Sequence, residues 1–419
     1  MISSQPKARI SPLTQLFAHL RVPLYRNGYA LMIGSATTSA LGVAYWALAA
    51  RYYPPEIVGV SSAVLSAMML LAGIAVLSLP GALVRFIPQA GDRTRSFVLT
   101  TYVISVGTAA ILSSIFCLTA GRWSEQLAFL QEDRMWFGAF VLATVAWCIF
   151  SLQDSALTGL RQAIWVPVEN TLFSVAKIGL LLLLAGPIPQ WGLFTAWTIP
   201  VIIALAPINY LLFQRWIPQH SAQAQTSAGA LQATGSAGFT YGAVQRYVIG
   251  NYPGTLLYLA YTMLLPLLVT HIAGSRANAY FFIPWMIASG LQLIALNLTT
   301  SLTVEAARDE AKLALYCYRI LQQSLKLLLP LILLVSFAAP WILLVFGTDY
   351  RDAGTALLQL LALSSIPNAV VMLYLSFVRI QNRVGGVIFT QGALCILLLG
   401  LSYVLLPQWG ITGIGWASL

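Results

Sequence analysis

From Tyr29 onward, apolar runs of about 20 residues follow one another along the whole chain, with short polar breaks between them. A run of that length crosses the ~30 Å of hydrocarbon in a bilayer as a single helix. The pattern predicts eleven complete spans, at 29–50, 57–80, 97–120, 135–158, 164–185, 191–213, 247–271, 279–303, 321–346, 354–377 and 386–406. A twelfth begins near Ile411 and reaches only Leu419, so the last helix is expected to be truncated. One connection is long: 214–246, in which His220–Gly238 is rich in Ala, Gln, Ser, Thr and Gly and reads as a flexible linker. Ahead of the first span, Leu13, Leu16, Phe17 and Leu20 recur at helical spacing, with Arg21 and Arg26 behind them. That suits a short helix lying on the inner membrane surface; a loose basic tail fits the same residues.

Composition narrows the class. Of 419 residues, 59% are hydrophobic and only 8% charged, and the mean hydropathy is +0.81. A soluble domain carries about 25% charged residues. A soluble enzyme, a nucleic-acid-binding domain and a secreted disulfide scaffold are excluded, and a polytopic all-α membrane protein is expected. The net charge of +10 is then a statement about topology before it is one about partners. Fifteen Lys and Arg residues fall on one side of the alternating spans and five on the other, with Lys177 and Lys326 inside spans. Basic loops stay in the cytoplasm, which puts the N-terminus and the central linker there. Cys117, Cys148, Cys317 and Cys395 sit in or beside apolar runs without Cys-x-x-Cys spacing, as inert thiols do. No cleavable signal peptide is expected, because the first long apolar run starts only near Tyr29.

Sliding the sequence on itself exposes a duplication. A shift of 220 residues aligns Arg26 with Arg246, Gly34 with Gly254, Arg51 with His271 and Arg85 with Glu305, each pair at the same place in its span. A shift of 218 aligns Pro189-Gln190-Trp191-Gly192 with Pro407-Gln408-Trp409-Gly410, and Arg161 with Arg379. The expected organisation is an N-terminal segment 1–28, an N-lobe 29–213 of six spans, the linker 214–246 and a C-lobe 247–419. Both halves start on the same side, so the lobes are related by a pseudo-two-fold axis along the membrane normal, with substrate between them.

Several segments are similar to the polysaccharide-flippase branch of the multidrug/oligosaccharidyl-lipid/polysaccharide exporter superfamily. They are Leu48-Ala-Ala-Arg51 with Pro55-Glu56-Ile-Val-Gly59, Gly81-Ala-Leu-Val-Arg85, Ser301-Leu-Thr-Val-Glu305, Leu344-Val-Phe-Gly347-Thr-Asp-Tyr350, and the ending from Gly410. The resemblance covers most of the chain through diffuse glycine, arginine and aromatic placements. It implies two six-helix lobes in a V, with spans one, two, seven and eight facing a central cavity. It also implies transport of a lipid-linked oligosaccharide across the inner membrane, alongside a polysaccharide polymerase or ligase.

Charged groups at membrane depth cost at least ~2.5 kcal/mol each at a helix centre, which makes them the functional candidates. The resemblance places Arg26, Arg246 and Arg85 around the inner mouth. A polyprenyl-diphosphate carrier offers them a dianionic pyrophosphate, and guanidinium is a planar fork for its oxygens. Orientation by positive charge accounts for the same arginines without a ligand. Arg85 and Glu305, repeat partners of opposite charge, are candidates for a gate pair. Arg51 and His271 hold matching outer positions, as cavity groups or, for a histidine that changes charge on an acidic outer face, as a gate; a structural role fits His271 as well. Asp154 in span four, and Glu169 and Lys177 in span five, are candidates for proton or sodium coupling. Glu169 and Lys177 lie ~80° apart around a helix, so Glu169 could instead simply neutralise Lys177. No Gly-x-x-x-x-Gly-Lys-Ser/Thr loop, His-Glu-x-x-His motif or metal-ligand cluster occurs. The expectation is a transporter without cofactor, and not an enzyme. A drug or metabolite exporter of the same superfamily is the first alternative, and a membrane polymerase or acyltransferase the second.

Overall fold

The computed structural model describes residues 23–231, 239–306, 313–381 and 383–419, with side chains described outside 23–33, 35–36, 225–231, 293–306, 313–317, 320 and 380. All regular structure among these residues is helical. The reason is solvation: in hydrocarbon a backbone must satisfy its own hydrogen bonds, and a helix does so within one segment. The N-terminal half comprises α1 (Pro23–Tyr52), α2 (Pro55–Ala75), α3 (Leu79–Ala90), α4 (Thr94–Trp123), α5 (Phe129–Glu132), α6 (Arg134–Gly159), α7 (Trp165–Leu184) and α8 (Gly192–Leu211). The helix α9 (Ile217–Leu231) follows, and the second half holds α10 (Tyr241–Ala306), α11 (Leu313–Leu344), α12 (Thr348–Ile380), α13 (Val384–Trp409) and α14 (Thr412–Ser418). Among the described residues nine helical stretches are long and apolar enough to cross a membrane. The chain is a multi-pass membrane protein.

In the first half α1 lies along α7, α4 and α3 pack on α6, and α7 lies beside α8. Their core is aromatic: Tyr45, Phe140, Phe150, Phe173 and Trp197 are all buried. In the second half α10 packs on α12 and α13, and α11 on α12. The halves meet along α2, which lies antiparallel to the first part of α10 and is buried over most of its length. Gly59 faces the Ser275 carbonyl so closely that a β-carbon would overlap it, and further along Gly81 receives the Tyr247 hydroxyl. Asn278 Nδ2 donates to the Gly59 carbonyl at 2.8 Å and to Ser62 Oγ at 3.0 Å. Lipid tails are as apolar as a protein interior, so such a seam is held by close packing and hydrogen bonds more than by apolar burial.

Three features depart from the sequence reading. Spans seven and eight are not separated by a loop: α10 runs through both and turns at Gly274 alone, with φ 87° and ψ 169°. Those angles suit only a residue without a β-carbon. The corner lies 220 residues after Pro54, where α1 gives way to α2. Span two does not end near residue 80 either. After an elbow in which Leu77 and Ser78 both take positive φ, 50° and 59°, the chain resumes as α3 and continues to Ala90. Finally, the start of the proposed linker is helical to Leu231, because its alanines and glutamines are good helix formers. Ser221 Oγ donates to the Gly91 carbonyl at 3.2 Å and ties α9 to the turn between α3 and α4. Residues 1–22, expected to hold the interfacial helix, and 232–238 of the linker lie outside the described residues.

Candidate functional site

The antiparallel seam gives the molecule two ends. At one, called here the basic end, a cavity of about 560 Å³ opens between the halves. The Leu77–Ser78 elbow tilts α3 so that Arg85 faces it from the first half. The tight turn between α12 and α13, in which Arg383 N donates to the Val378 carbonyl at 3.1 Å, brings Arg379 and Arg383 to it from the second half. Gly386 makes that turn possible, since its α-carbon sits against the Val378 side chain. Tyr247 and Asn251 of α10 form the back wall, and Val384, Val387 and Ile388 an apolar flank. The Arg85 guanidinium lies 5.4 Å from the Tyr247 ring centre and 5.6 Å from that of Phe86. Aromatic faces attract and orient a cation without neutralising it. Among the described residues no acidic side chain lines the cavity, and none lies within 4.0 Å of the three arginines; the side chain of Glu305, and Asp309 and Glu310, lie outside them. Three exposed cations thus line one hollow, an arrangement chemically suited to an anion.

The other end is shut. Arg51, at the end of α1, donates from Nε to the Val345 carbonyl at 2.8 Å and from Nη2 to the Leu344 carbonyl at 2.9 Å. These are the unpaired carbonyls at the end of α11, where a cation also meets the negative pole of the helix. Arg276 lies 3.6 Å from Glu56 and 3.5 Å from Asp349, and Tyr280 OH donates to Asp349 Oδ2 at 3.3 Å. This clasp joins α1 and α2 to α10, α11 and α12.

A third constellation lies inside the first half. Gln153 Nε2 donates to Glu169 Oε1, Asn209 Nδ2 to Gln153 Oε1 at 2.6 Å, and Tyr102 OH to Asn209 Oδ1 at 3.0 Å. Beside this chain Asn170 Nδ2 donates to Asp154 Oδ2 at 3.0 Å. Glu169 is 3% exposed, and Glu169 Oε2 and Asp154 Oδ1 accept no hydrogen bond. Lys177 is 4% exposed and sits in an aromatic box, its Nζ 3.8 Å from the Trp197 ring centre, 4.8 Å from Phe173 and 5.1 Å from Tyr45. Glu169 does not neutralise it. Eight residues along a helix separate the two by ~12 Å, and no ion pair joins them.

No known sequence family matches the chain, and no curated protein does. Solved structures do. One is an inward-facing conformation of a multidrug resistance MATE family transporter of the MOP superfamily, with a TM-score of 0.68 at 14% identity over 91% of this chain and 90% of that one. Lipid II flippase MurJ in an inward closed conformation follows at 0.65 and 12% identity, over 92% of this chain and 83% of that one. An outward-facing MATE transporter gives 0.64 at 12% identity, over 94% and 91%. The fold is that of the MATE and MurJ transporters.

Within that fold the sequence-derived candidates separate. Arg85 lines the cavity, whereas Arg246 does not: one position along α10, Tyr247 takes the inward place and Arg246 is exposed. Arg51 bonds the end of α11 instead of facing a cavity. His271 is exposed and does not line the cavity between the halves. The side chains of Arg26 and Glu305 lie outside the described ones, so the contacts described for Arg85 are those with Tyr247 and Phe86. The sequence reading missed Arg379 and Arg383, which it counted only towards orientation, although the 218-residue shift had singled out Arg379. It also missed Gln153, Asn209 and Tyr102, because amides and a phenol in apolar runs carry no charge to draw attention.

Proposed function

We propose that the chain is a secondary transporter that flips a lipid-linked oligosaccharide, carried on a polyprenyl diphosphate, across the inner membrane for cell-surface polysaccharide assembly. The observation that carries this reading is the trio Arg85, Arg379 and Arg383, contributed by both halves to one cavity that no carboxylate lines among the described residues. Guanidinium forks suit phosphate oxygens, and the apolar flank at Val384 and Ile388 suits a headgroup whose tail stays in lipid. On this reading the basic end and the N-terminus are cytoplasmic, in line with the excess of Lys and Arg on that side, and the conformation is inward-facing. Lipid II flippase MurJ, which shares the fold, supports a lipid-linked substrate. Asp154 and Glu169, each with a buried unpartnered oxygen, serve as the proton or sodium coupling groups, and a polymerase or ligase takes the delivered glycan.

The same two carboxylates favour a second reading, a drug or metabolite exporter, since buried acids attract cationic solutes and MATE transporters share the fold. Proteoliposomes separate the two. The flippase reading expects a fluorescent polyprenyl-diphosphate oligosaccharide to become accessible on the far leaflet and Arg85→Ala to stop this. Efflux of cationic dyes without glycolipid movement would replace it with the exporter.

A further inference from the structure

On the first part of α10, positions 247, 250, 251, 254 and 255 fall on one face at 3.6 residues per turn, and they are Tyr, Gly, Asn, Gly and Thr. All five line the cavity at the basic end. The same periodicity carries the face on to Tyr258, which is 43% exposed. Polar groups laid against hydrocarbon are costly, so a face of this composition belongs to a watered space. The glycines keep it low: nothing stands within 4 Å of the place where Gly250 would carry a β-carbon. The hydrogens on this face are partly spent. Thr255 Oγ1 donates its one proton to the Asn251 carbonyl at 3.1 Å, so towards the cavity the hydroxyl can only accept. Asn251 Nδ2 donates to the Tyr247 carbonyl at 2.8 Å, which fixes the amide and leaves Oδ1 as its acceptor. Both side chains are exposed. The arginines that line the same cavity are the reverse, since guanidinium only donates. One cavity therefore joins cationic donors, suited to phosphate, with neutral acceptors, suited to hydroxyl groups.

We propose that Asn251 and Thr255 form a sugar-reading subsite, which recognises through its hydroxyl groups the sugar bonded directly to the diphosphate. The proposal rests on the reading of the cavity as the site of a diphosphate-linked cargo, and adds which wall reads which part. With the phosphates at the arginines, the first sugar has to lie within the same hollow. Asn251 and Thr255 stand one helical turn apart, ~6 Å along the axis, a span that the hydroxyls of one pyranose ring reach. A hydroxyl that donates here keeps its lone pairs for water or for the Tyr247 phenol, which also lines the cavity. A polyprenyl chain has no donor to offer and would leave both acceptors unpaired. Beside three guanidinium groups a neutral donor is favoured over an ammonium. The subsite thus distinguishes a glycosylated carrier from the bare diphosphate that would otherwise occupy the same arginines.

Binding to the full chain in lipid nanodiscs tests this, with farnesyl diphosphate and its glucosyl, galactosyl and N-acetylglucosaminyl esters as probes. The readout is the ratio of the affinity for a sugar-bearing probe to that for the bare diphosphate, taken in each variant. In the unaltered chain the best of these sugars is expected to bind about tenfold tighter than the bare compound, from two hydrogen bonds of modest net value. Thr255→Val, which keeps the shape and removes the acceptor, and Asn251→Leu are each expected to lower that ratio by roughly threefold, and Thr255→Ser to retain it. Among monodeoxy analogues of the best sugar, one is expected to lose as much as Thr255→Val does, and to lose nothing further against that variant. Losses that add for every analogue would mean a shifted wall without contact, and overturn the proposal. A ratio close to unity for all the sugars, or one that Thr255→Val and Asn251→Leu leave untouched, overturns it too while the diphosphate site stands. Failure of the bare and the glycosylated probes alike to bind overturns the subsite together with that site.

Discussion

The two ends of the molecule use the same side chain to opposite effect. At the closed end Arg51 and Arg276 are saturated: one guanidinium spans two helix-end carbonyls and the other bridges Glu56 and Asp349. At the basic end Arg85, Arg379 and Arg383 line a hollow, Arg85 lying against the Tyr247 and Phe86 rings. The difference lies in what the neighbouring helix offers. Where α11 ends, its last carbonyls are free acceptors, so an arginine there is structural. Arg85 in mid-α3 and Arg379 and Arg383 at the α12–α13 turn line a cavity instead, which leaves them open to a ligand on the proposed function. A cation in a transporter is informative only once its partners are known.

Substitutions can break this contrast. The largest effect is expected from Arg85→Glu, which puts a carboxylate in the cavity: transport in proteoliposomes should fall by about a hundredfold or more, in keeping with the 2–5 kcal/mol cost of spoiling a charge-paired contact. Retention of near-normal transport would remove the cavity from the mechanism. Next comes Gly59→Ala. The Ser275 backbone that faces it cannot move aside as a side chain could, and overpacking of this sort costs about 1–3 kcal/mol. The closed end should loosen, seen as faster cysteine labelling at positions around Glu56. Arg51→Ala removes two hydrogen bonds from an exposed site; the labelling should rise by roughly fivefold, since two exposed hydrogen bonds at the low end of the usual range, about 0.5 kcal/mol each, sum to about 1 kcal/mol. Arg276→Ala should do least, within about twofold, because exposed ion pairs contribute little. Equal effects from Arg51→Ala and Arg276→Ala would mean that the clasp is simply electrostatic and owes nothing to the end of α11. Lys177→Met tests the interior by contrast: replacing a buried ion by an apolar side chain of similar volume is often neutral or stabilising. Unchanged thermal stability with lost transport would make Lys177 functional, whereas loss of both would make its aromatic box a structural fixture.

Much of the fold was open to reading from apolar length alone, since each run of the α6 or α13 kind has no option in lipid but to be a helix. The facing of each helix was not. A span such as α13 is apolar all round, so periodicity says nothing about which side turns inward. That is why the sequence reading named Arg246, whereas its neighbour Tyr247, to which that reading gave no role, lines the cavity. Corners were equally silent. Gly274 lies in a weakly polar break that reads as an ordinary loop, and nothing about Leu77 and Ser78 announces a left-handed pair. The linker reading failed at its start for a composition reason: Ala-Gln repeats suit a flexible tether by polarity and a helix by propensity, and contact with Gly91 settles which.

Gly274 gives α10 a mechanical character that a loop would lack. Two long rods meet at a single residue, so on the proposed function a displacement of the first by whatever occupies the basic end would reach the second with no loop to absorb it. Inserting three flexible residues at that point should leave each rod folded and the cavity able to take up an anion, while the far end no longer answers. On the proposed function, the altered chain would bind its cargo and never deliver it.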